Sequence, residues 1–535
     1  MNPPEHSGVF LYYIFKSIKI NIMKKLLFVS VLILACCATF AQSSVVSKPF
    51  SSMWIKRSGF YSNAIGQSDN SAYIMTSYRD KGSLKKPKSF TDHLYTIDKS
   101  TLHATDMTVT VPGMHDFLGA IDGDNNIVTL YLSTTKKGDF ITFTIGDIDK
   151  KESAVSISDE TSVTFPANPS FWPEYITSKS PDGKLLAAIA VITGKKGVLE
   201  NIHAVVVNDK GEFEWSGSIA PDFGGSSFGI SNFAVDNDGN IYLPAYTCSV
   251  KGDKVSDVEF QVSKIRGKEN QTFNAGVTFG KPQNFTTKIM SDGNVVIGGY
   301  FTKTFKNTMT QTDGYFFYNF NTKTNKFTYC NAYDFSENYA QKKAPWRLSS
   351  VLANQQYSIK ADDIYELADG SLVLCGEHRF IKQIRDMQTN TITYDLLTKN
   401  ILISTMRPDG SSAFSMIQKQ QSAKLGFIPS DWKMMNISYS AFAHGNDMYF
   451  VFNEHKKNIP YPGDGVVFGM FGLIYNKPGE IVLMRLTPDQ EVTQTILPDN
   501  KEQLIREVVF TDGDAFYATG ITKDGFTINK FKLDK

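Results

Sequence analysis

Cysteine is scarce: there are five in 535 residues, and Cys36 and Cys37 lie in an N-terminal apolar run, which leaves Cys248, Cys330 and Cys375. An odd set, with Cys248 and Cys375 inside β-branched runs, excludes a dense disulfide framework and reads as small buried hydrophobes; one bridge stays open as an alternative. A surplus of either charge is also lacking. Of 55 basic and 54 acidic residues, those before Gln42 account for Lys16, Lys19, Lys24, Lys25 and Glu5, leaving 51 against 53. Bulk charge therefore gives no hold on nucleic acid or an anionic membrane. Beyond residue 41 no apolar run is long enough for a transmembrane helix. No tight His/Cys/Asp spacing suits a metal, no residue stands out as a nucleophile, and no cofactor is implied.

The N-terminus reads as a targeting segment. Met23-Lys24-Lys25, the apolar LLFVSVLILACCATFA and the small-residue end Thr39-Phe40-Ala41 have the order of a secretory signal over residues 23–41, cleaved before Gln42. Residues 1–22 make a poor signal start and read as a gene-model extension, with a cytoplasmic extension as the alternative. The mature chain, 42–535, is then exported, periplasmic or extracellular. Ile33-Leu34-Ala35-Cys36 faintly matches a lipoprotein box, but Leu34 is bulky and Ala41 ends a better site, so a lipid anchor at Cys36 is the lesser alternative.

What the chain has is one phrase used eight times: an apolar strand, an Asp/Asn/Gly turn, and a second strand rich in β-branched and aromatic residues. Examples are IDGDNNIVTLYL from Ile121, SPDGKLLAAIAV from Ser180, SDGNVVIGGYFT from Ser291 and ADGSLVLCGEHR from Ala368; SDNSAYIMTSYR from Ser68 is a weaker first copy. Asp-Gly and Asn-Gly tolerate the positive φ of a tight hairpin turn. Aligned at Asp69, Asp124, Asp182, Asp238, Asp292, Asp369, Asn446 and Asp512, the copies repeat every 54 to 77 residues, enough for four strands each. A second, weaker hairpin follows the first, as in FITFTIGDIDKKESAVSI and HAVVVNDKGEFEWSGSI. The last copy stops one strand short after FTINKFKLD, and SVVSKPFSSMWIKR, after the signal, is free to supply it. That closure removes the open sheet edges.

The expected fold is therefore all-β: a single β-propeller of eight four-stranded blades, seven being the alternative, closed by an N-terminal strand joining the last blade. The chain resembles the broad β-propeller superfamily, and among its members the uncharacterised exported bacterial propellers with DG-type blade hairpins. It lacks regular Trp-Asp blade endings, kelch Gly-Gly pairs, an Asp-box and the spaced tryptophans of quinoprotein propellers.

Such a fold puts the DG turns on one face and the ends of the second strands, with the long loops, on the other. On that second face two adjacent blades repeat a triplet: Glu377-His378-Arg379 and Glu454-His455-Lys456. A carboxylate, an imidazole and a cation together suit a polar ligand; solvated strand ends and loop caps are the commoner role. Trp346 and Trp432 lie in inter-blade connections where an aromatic ring could stack on a sugar, or simply pack. Phe468 and Phe471 belong to a Gly-rich apolar insert, Lys457 to Glu480, that suits a protein partner if exposed and is a supplementary hairpin if packed. A basic loop follows at Arg79, Lys81, Lys85, Lys86 and Lys88. Asp362 stands with Asp116, Glu174 and Glu507 among the acids of the first strands, which line the channel. The Asp-rich turns at Asp122 and Asp236 lack the later acid of a calcium loop.

Two functions follow as expectations. One is a non-enzymatic exported propeller that recognises a protein or a glycan through its loop-bearing face. The alternative is a carbohydrate-active hydrolase or lyase using acidic residues at the central channel, which needs two convergent carboxylates.

Overall fold

The computed structural model describes residues 41–47, 59–79, 90–335, 358–426, 438–522 and 525–533, apart from the short stretches 112–114, 135–138, 153, 158–160, 168–173, 194–198, 220–226, 252–253, 277, 304–311, 386–391, 463–468, 472–478 and 498–503. Strand pairing builds eight sheets in chain order, antiparallel except for two short edge strands. The first strand of each touches the first strands of the next and the previous, and the strand Leu504–Asp512 of blade 8 returns to Gly59–Gln67 of blade 1. The fold is an eight-bladed β-propeller with these strands around its axis.

The reason is written in the second strands. Leu185–Thr193 of blade 3 is LLAAIAVIT, apolar throughout. Leu185, Ala187, Ile189 and Val191 pack against blade 4, while Leu186, Ala188, Ala190 and Ile192 pack against blade 2. Side chains alternate across a strand, so a run apolar on both parities demands a sheet covered on both faces. Neighbouring blades supply that cover. Among the described residues the core divides into eight buried clusters, each shared by two adjacent blades, including blade 8 with blade 1.

The turns on the DG face come in two forms. In blades 3 to 6 the glycine amide donates to the carbonyl three residues back, as from Gly183 to Ser180 at 2.9 Å, and the glycine takes positive φ (72° at Gly183, 81° at Gly370). In blades 7 and 8 a two-residue loop suffices, with His444 opposite Asp447 and Asp512 opposite Ala515. Closure is as expected in kind. The outer strand of blade 8 is Ala41–Ser47, antiparallel to Gly525–Lys532. It begins at Ala41, three residues before the segment read from the sequence.

Two edges depart from expectation. Ala154–Ser156, read as the partner of Phe140–Asp149, instead lies parallel on the outer strand of blade 1, and Ser162–Pro166 completes blade 2. Met470–Phe471 likewise adds in parallel to the outer strand of blade 6. Both short strands cover an otherwise open edge of the preceding blade. Among the described residues no helix is long and apolar enough to cross a membrane, and Cys248, Cys330 and Cys375 are free thiols.

Candidate functional site at the seam of blades 6 and 7

Blade 6 is unlike its neighbours. Its second to fourth strands, Leu372–Arg385, Ile392–Met406 and Ser412–Gly426, run 14 to 15 residues, where those of blade 5 run 8 to 9. At about 3.3 Å per residue the difference is roughly 20 Å. Leu372 follows the DG turn directly, so the excess stands above the loop-bearing face. Blade 4 also carries a lengthened hairpin, Ile241–Lys251 with Lys254–Arg266.

The lengthening changes the place of the first triplet. Glu377-His378-Arg379 was expected at a strand end; the strand continues to Arg385, and the triplet sits mid-strand at a bulge between Glu377 and Arg379. Glu377 is fully buried. Its carboxylate takes an ion pair from Lys419 on one oxygen, and on the other accepts from Arg379 Nε at 2.7 Å and Ser438 Oγ at 2.8 Å. Arg379 turns its Nη2 to Asp362 Oδ1 at 2.7 Å, and Tyr439 Oη donates to Asp362 Oδ2 at 2.8 Å. Ser438 and Tyr439 lead into blade 7, so this knot fastens two blades. Lys419, also fully buried, donates to Thr398 Oγ1 at 3.1 Å and Gln421 Oε1 at 3.3 Å; Gln421 reaches the Asn453 carbonyl of blade 7 at 2.7 Å.

Ser438 holds φ at 104°, a strained backbone for a residue with a Cβ. Its amide donates to Gln421 Oε1 at 2.7 Å while its hydroxyl serves Glu377. Asp362 is also set by backbone irregularity: it is the extra residue of a bulge, between Ala361 opposite Gly376 and Asp363 opposite Cys375. The first strands of blades 1 and 2 bulge similarly, and there the extra residues are Ile65 and Leu118, both buried. The corresponding bulges of blades 5 and 8 carry Gln283 and Arg506, so the extra residue is aliphatic in two blades and polar or charged in three.

Burial dominates the electrostatics. It pushes the Asp362 carboxyl up to about 6, against the pull of Arg379 and with the help of Glu377. Burial also acts on Glu377, but Lys419 and Arg379 outweigh it and hold that carboxyl below its ordinary value. Burial lowers His378 to about 4 and lowers Lys419, while Arg379 is raised by its two carboxylates in spite of burial.

The second triplet divides. Glu454 is buried, accepts from Asn458 Nδ2 and the His455 amide at 2.7 Å each, and faces Lys419. Burial raises its carboxyl. His455 Nδ1 accepts from the Lys457 amide and caps the short 3-10 turn Lys456–Asn458, and exposed Lys456 pairs with Glu480 at 3.1 Å. The repeat position therefore brings Glu377 and Glu454 together around one lysine, with their carboxylates turned inward. Trp346, Trp432 and Phe468 lie outside the described residues, and Phe471 is described only in its backbone. Lys419, Ser438 and Tyr439 were not legible as site residues, since Lys419 stands in a polar run of its strand and the other two precede the first strand of blade 7.

A separate hollow of about 800 Å³ opens on the DG face among the turns of blades 2 to 4, bordered by Asp124, Asp147, Asp182 and Glu214 with Lys184 and Lys210. Of its acids, Asp147 accepts from the Asn126 side-chain amide and Glu214 from that of Asn208. Among the described residues no group of three or more His, Cys, Asp or Glu could hold a metal ion.

No protein-family model matches the chain, and no curated protein matches it. Solved structures do. The polysaccharide lyase Uly1 is similar at 13% identity over 88% of this chain and 90% of that one, with a TM-score of 0.35. The β-propeller domain of the Trilobed protease from Pyrococcus furiosus is similar at 6% identity over 85% and 98%, with a TM-score of 0.35. A protein of unknown function from Bacteroides caccae is similar at 12% identity over 67% and 94%, with a TM-score of 0.26. These are distant likenesses of fold; the propeller assignment rests on the strand pairing itself.

Proposed function

We propose that this protein is an exported, non-enzymatic propeller that recognises a protein or a glycan through its loop-bearing face, around blades 6 and 7. The observation that carries this reading is the lengthened hairpin of blade 6. Its three long strands stand above a ring whose other face ends in short turns, and the insert of blade 7 doubles back onto the same blade. A tall sheet at one rim serves recognition, because loops and hairpins on a rigid scaffold are where binding surfaces gather. The buried knot of Glu377, Arg379, Lys419 and Asp362 gives that hairpin a fixed base against blade 7.

A hydrolase or lyase at the channel is the second reading, and Asp362, raised to about 6, is what favours it. Such chemistry asks for two carboxylates open on one pocket. Asp362 and Glu377 converge on the same guanidinium, but the Glu377 side chain is fully sealed.

The test replaces residues 380–397 by a two-residue turn and compares the shortened protein with the full chain in capture experiments on envelope extract and on immobilised glycans. The full chain should retain a stoichiometric protein or a defined glycan, and the shortened one should lose it with its melting temperature unchanged. Polysaccharide turnover by the full chain, with no retained companion, would overturn the reading.

A further inference from the structure

We propose that Arg379 and Tyr439 form a carboxylate-binding cradle, that Asp362 fills it from within the chain, and that a small carboxylate on the ligand of the loop-bearing face takes its place there. The inference rests on the recognition reading above and names the group recognised. Three observations lead to it. First, the two donors converge on one carboxylate from two blades: the Arg379 guanidinium on Oδ1 at 2.7 Å and the Tyr439 hydroxyl on Oδ2 at 2.8 Å. A guanidinium with a second donor on the other oxygen is a built receptor for that group. Second, only the outer half of the knot meets solvent. The side chains of Asp362 and Arg379 are 22% and 17% exposed, while those of Glu377 and Lys419 are fully covered. A ligand arriving along the channel therefore meets Asp362 and Arg379 and leaves the inner pair intact. Third, Asp362 is the extra residue of a bulge and stands outside the regular strand pairing, so its side chain can give way to a ligand without unpairing a ladder partner.

The charge count sets the direction. Lys419 lies between Glu377 and Glu454, so the outer carboxylate of Arg379 is Asp362; when Asp362 takes a proton, the Nη2 side of that guanidinium is left without its counter-charge. Among the described residues the titratable groups that act on Asp362 are Arg379, Glu377 and Cys375 from the second strand, Tyr365 on its own strand, Tyr439 from blade 7 and Tyr300 from blade 5. Burial holds the three tyrosines and Cys375 neutral, and Glu377 and Arg379 keep their charges. In mildly acid solution Asp362 is thus the member of this set that titrates. With its carboxyl near 6, the competent form grows from a few per cent at about pH 7.5 to about nine-tenths at about pH 5, and apparent affinity for an ionised carboxylate should rise about 30-fold.

The experiment titrates the mature protein and the Asp362→Asn variant with sodium glucuronate, sodium acetate and uncharged methyl glucoside at both pH values. Glucuronate should bind the wild type more tightly at the lower pH, by about the factor given above. The variant, which keeps an oxygen and an amide in the same place without charge, should bind at the higher pH as the wild type does at the lower, with no pH dependence of its own. Acetate binding alongside glucuronate would identify the bare carboxylate as the ligand group; glucuronate alone would identify an acidic sugar, and either supports the cradle. Equal binding by the wild type at both pH values, equal binding by wild type and variant at the higher pH, methyl glucoside binding as well as glucuronate, or no binding of either anion overturns it. A companion still captured through the blade 6 hairpin in that case would leave loop-face recognition standing.

Discussion

Tyr439 reaches from the entry of blade 7 to Asp362 on the first strand of blade 6 and donates its hydroxyl at 2.8 Å, tying two sheets at the edge of the channel. Both residues are products of local distortion: Asp362 is the extra residue of a bulge, and Tyr439 follows Ser438, whose φ is 104°. The contact is small, but it joins the channel wall to a buried charge network.

Tyr439→Phe removes this hydrogen bond and keeps the ring. The loss should cost about 1 kcal/mol, seen as an earlier denaturant midpoint with an unchanged slope. The hydroxyl also favours the ionised carboxyl, so Asp362 should titrate higher in the variant, a shift that carboxyl-carbon NMR reads directly. An unmoved Asp362 would mean that the hydroxyl does not act on it.

Lys419→Met should be far more damaging. It leaves Glu377 fully buried with one cation instead of two, and breaking a buried pair on one side costs about 3 to 5 kcal/mol. The double variant Lys419→Met with Glu377→Gln removes the uncompensated charge and should recover much of that loss. Equilibrium unfolding of the three proteins checks the order; a double variant no better than Lys419→Met would show that packing, not charge, sets the cost.

Acid acts on this seam in two opposed ways. His378, held at about 4 by burial, stays neutral in the fold while the unfolded chain takes a proton, so its contribution is complete above about pH 6.5 and is lost as pH falls towards 4. Asp362, raised to about 6, works the other way, because below that value the fold takes the proton more readily than the unfolded chain. The effects should partly cancel between about pH 6.5 and pH 4. Asp362→Asn should therefore expose a steeper acid loss than the wild type shows, and His378→Asn should remove on the order of 3 kcal/mol of it. Stability measured across this range for all three proteins decides the matter, and parallel curves would refute the assignment.

Gly376 is required by its neighbours across the seam of blades 5 and 6. A Cβ there would lie 2.6 Å from Tyr300 Oη and 2.7 Å from the Lys360 carbonyl oxygen. Gly376→Ala should destabilise by about 1 to 3 kcal/mol, and adding Tyr300→Phe should restore part of it, since the hydroxyl is removed and the backbone carbonyl remains. Thermal melts of the single and double variants provide the measurement.

Truncation tests the closure. A chain beginning at Gln42 keeps nearly all of the outer strand Ala41–Ser47, while one beginning at Lys48 leaves Gly525–Lys532 as a bare edge. The second protein should melt earlier and self-associate, seen by light scattering.

Much of the architecture was legible because it depends on local chemistry repeated often. Turn residues flanked by apolar strands fixed the hairpins, and strands such as LLAAIAVIT, apolar on both parities, required cover on both faces. The errors fell where a few residues changed partner over a distance: Ala154–Ser156 left its own blade for blade 1, a choice between two available edges that local sequence does not weigh. The placement of the Glu377 triplet at a strand end was corrected for a related reason. Its residue types promised a polar surface, and the next residues, Phe380 to Arg385, extended the strand and drew the charges inside.

Alternation and turn chemistry, present in the chain itself, determined that this protein is a ring of tandem sheets, that its DG turns share one face, and that a strand from the N-terminal side completes the last blade; strand pairing fixed the number at eight rather than seven. Those signals act between neighbours in sequence, and every copy repeats them. Tertiary structure alone decided that Glu377, Arg379, Lys419 and Asp362 meet Ser438 and Tyr439, because these groups come from different strands and two blades and each is acceptable in the interior only in the presence of the others. A buried charge is defined by its partners, and those partners are brought together by closing the ring.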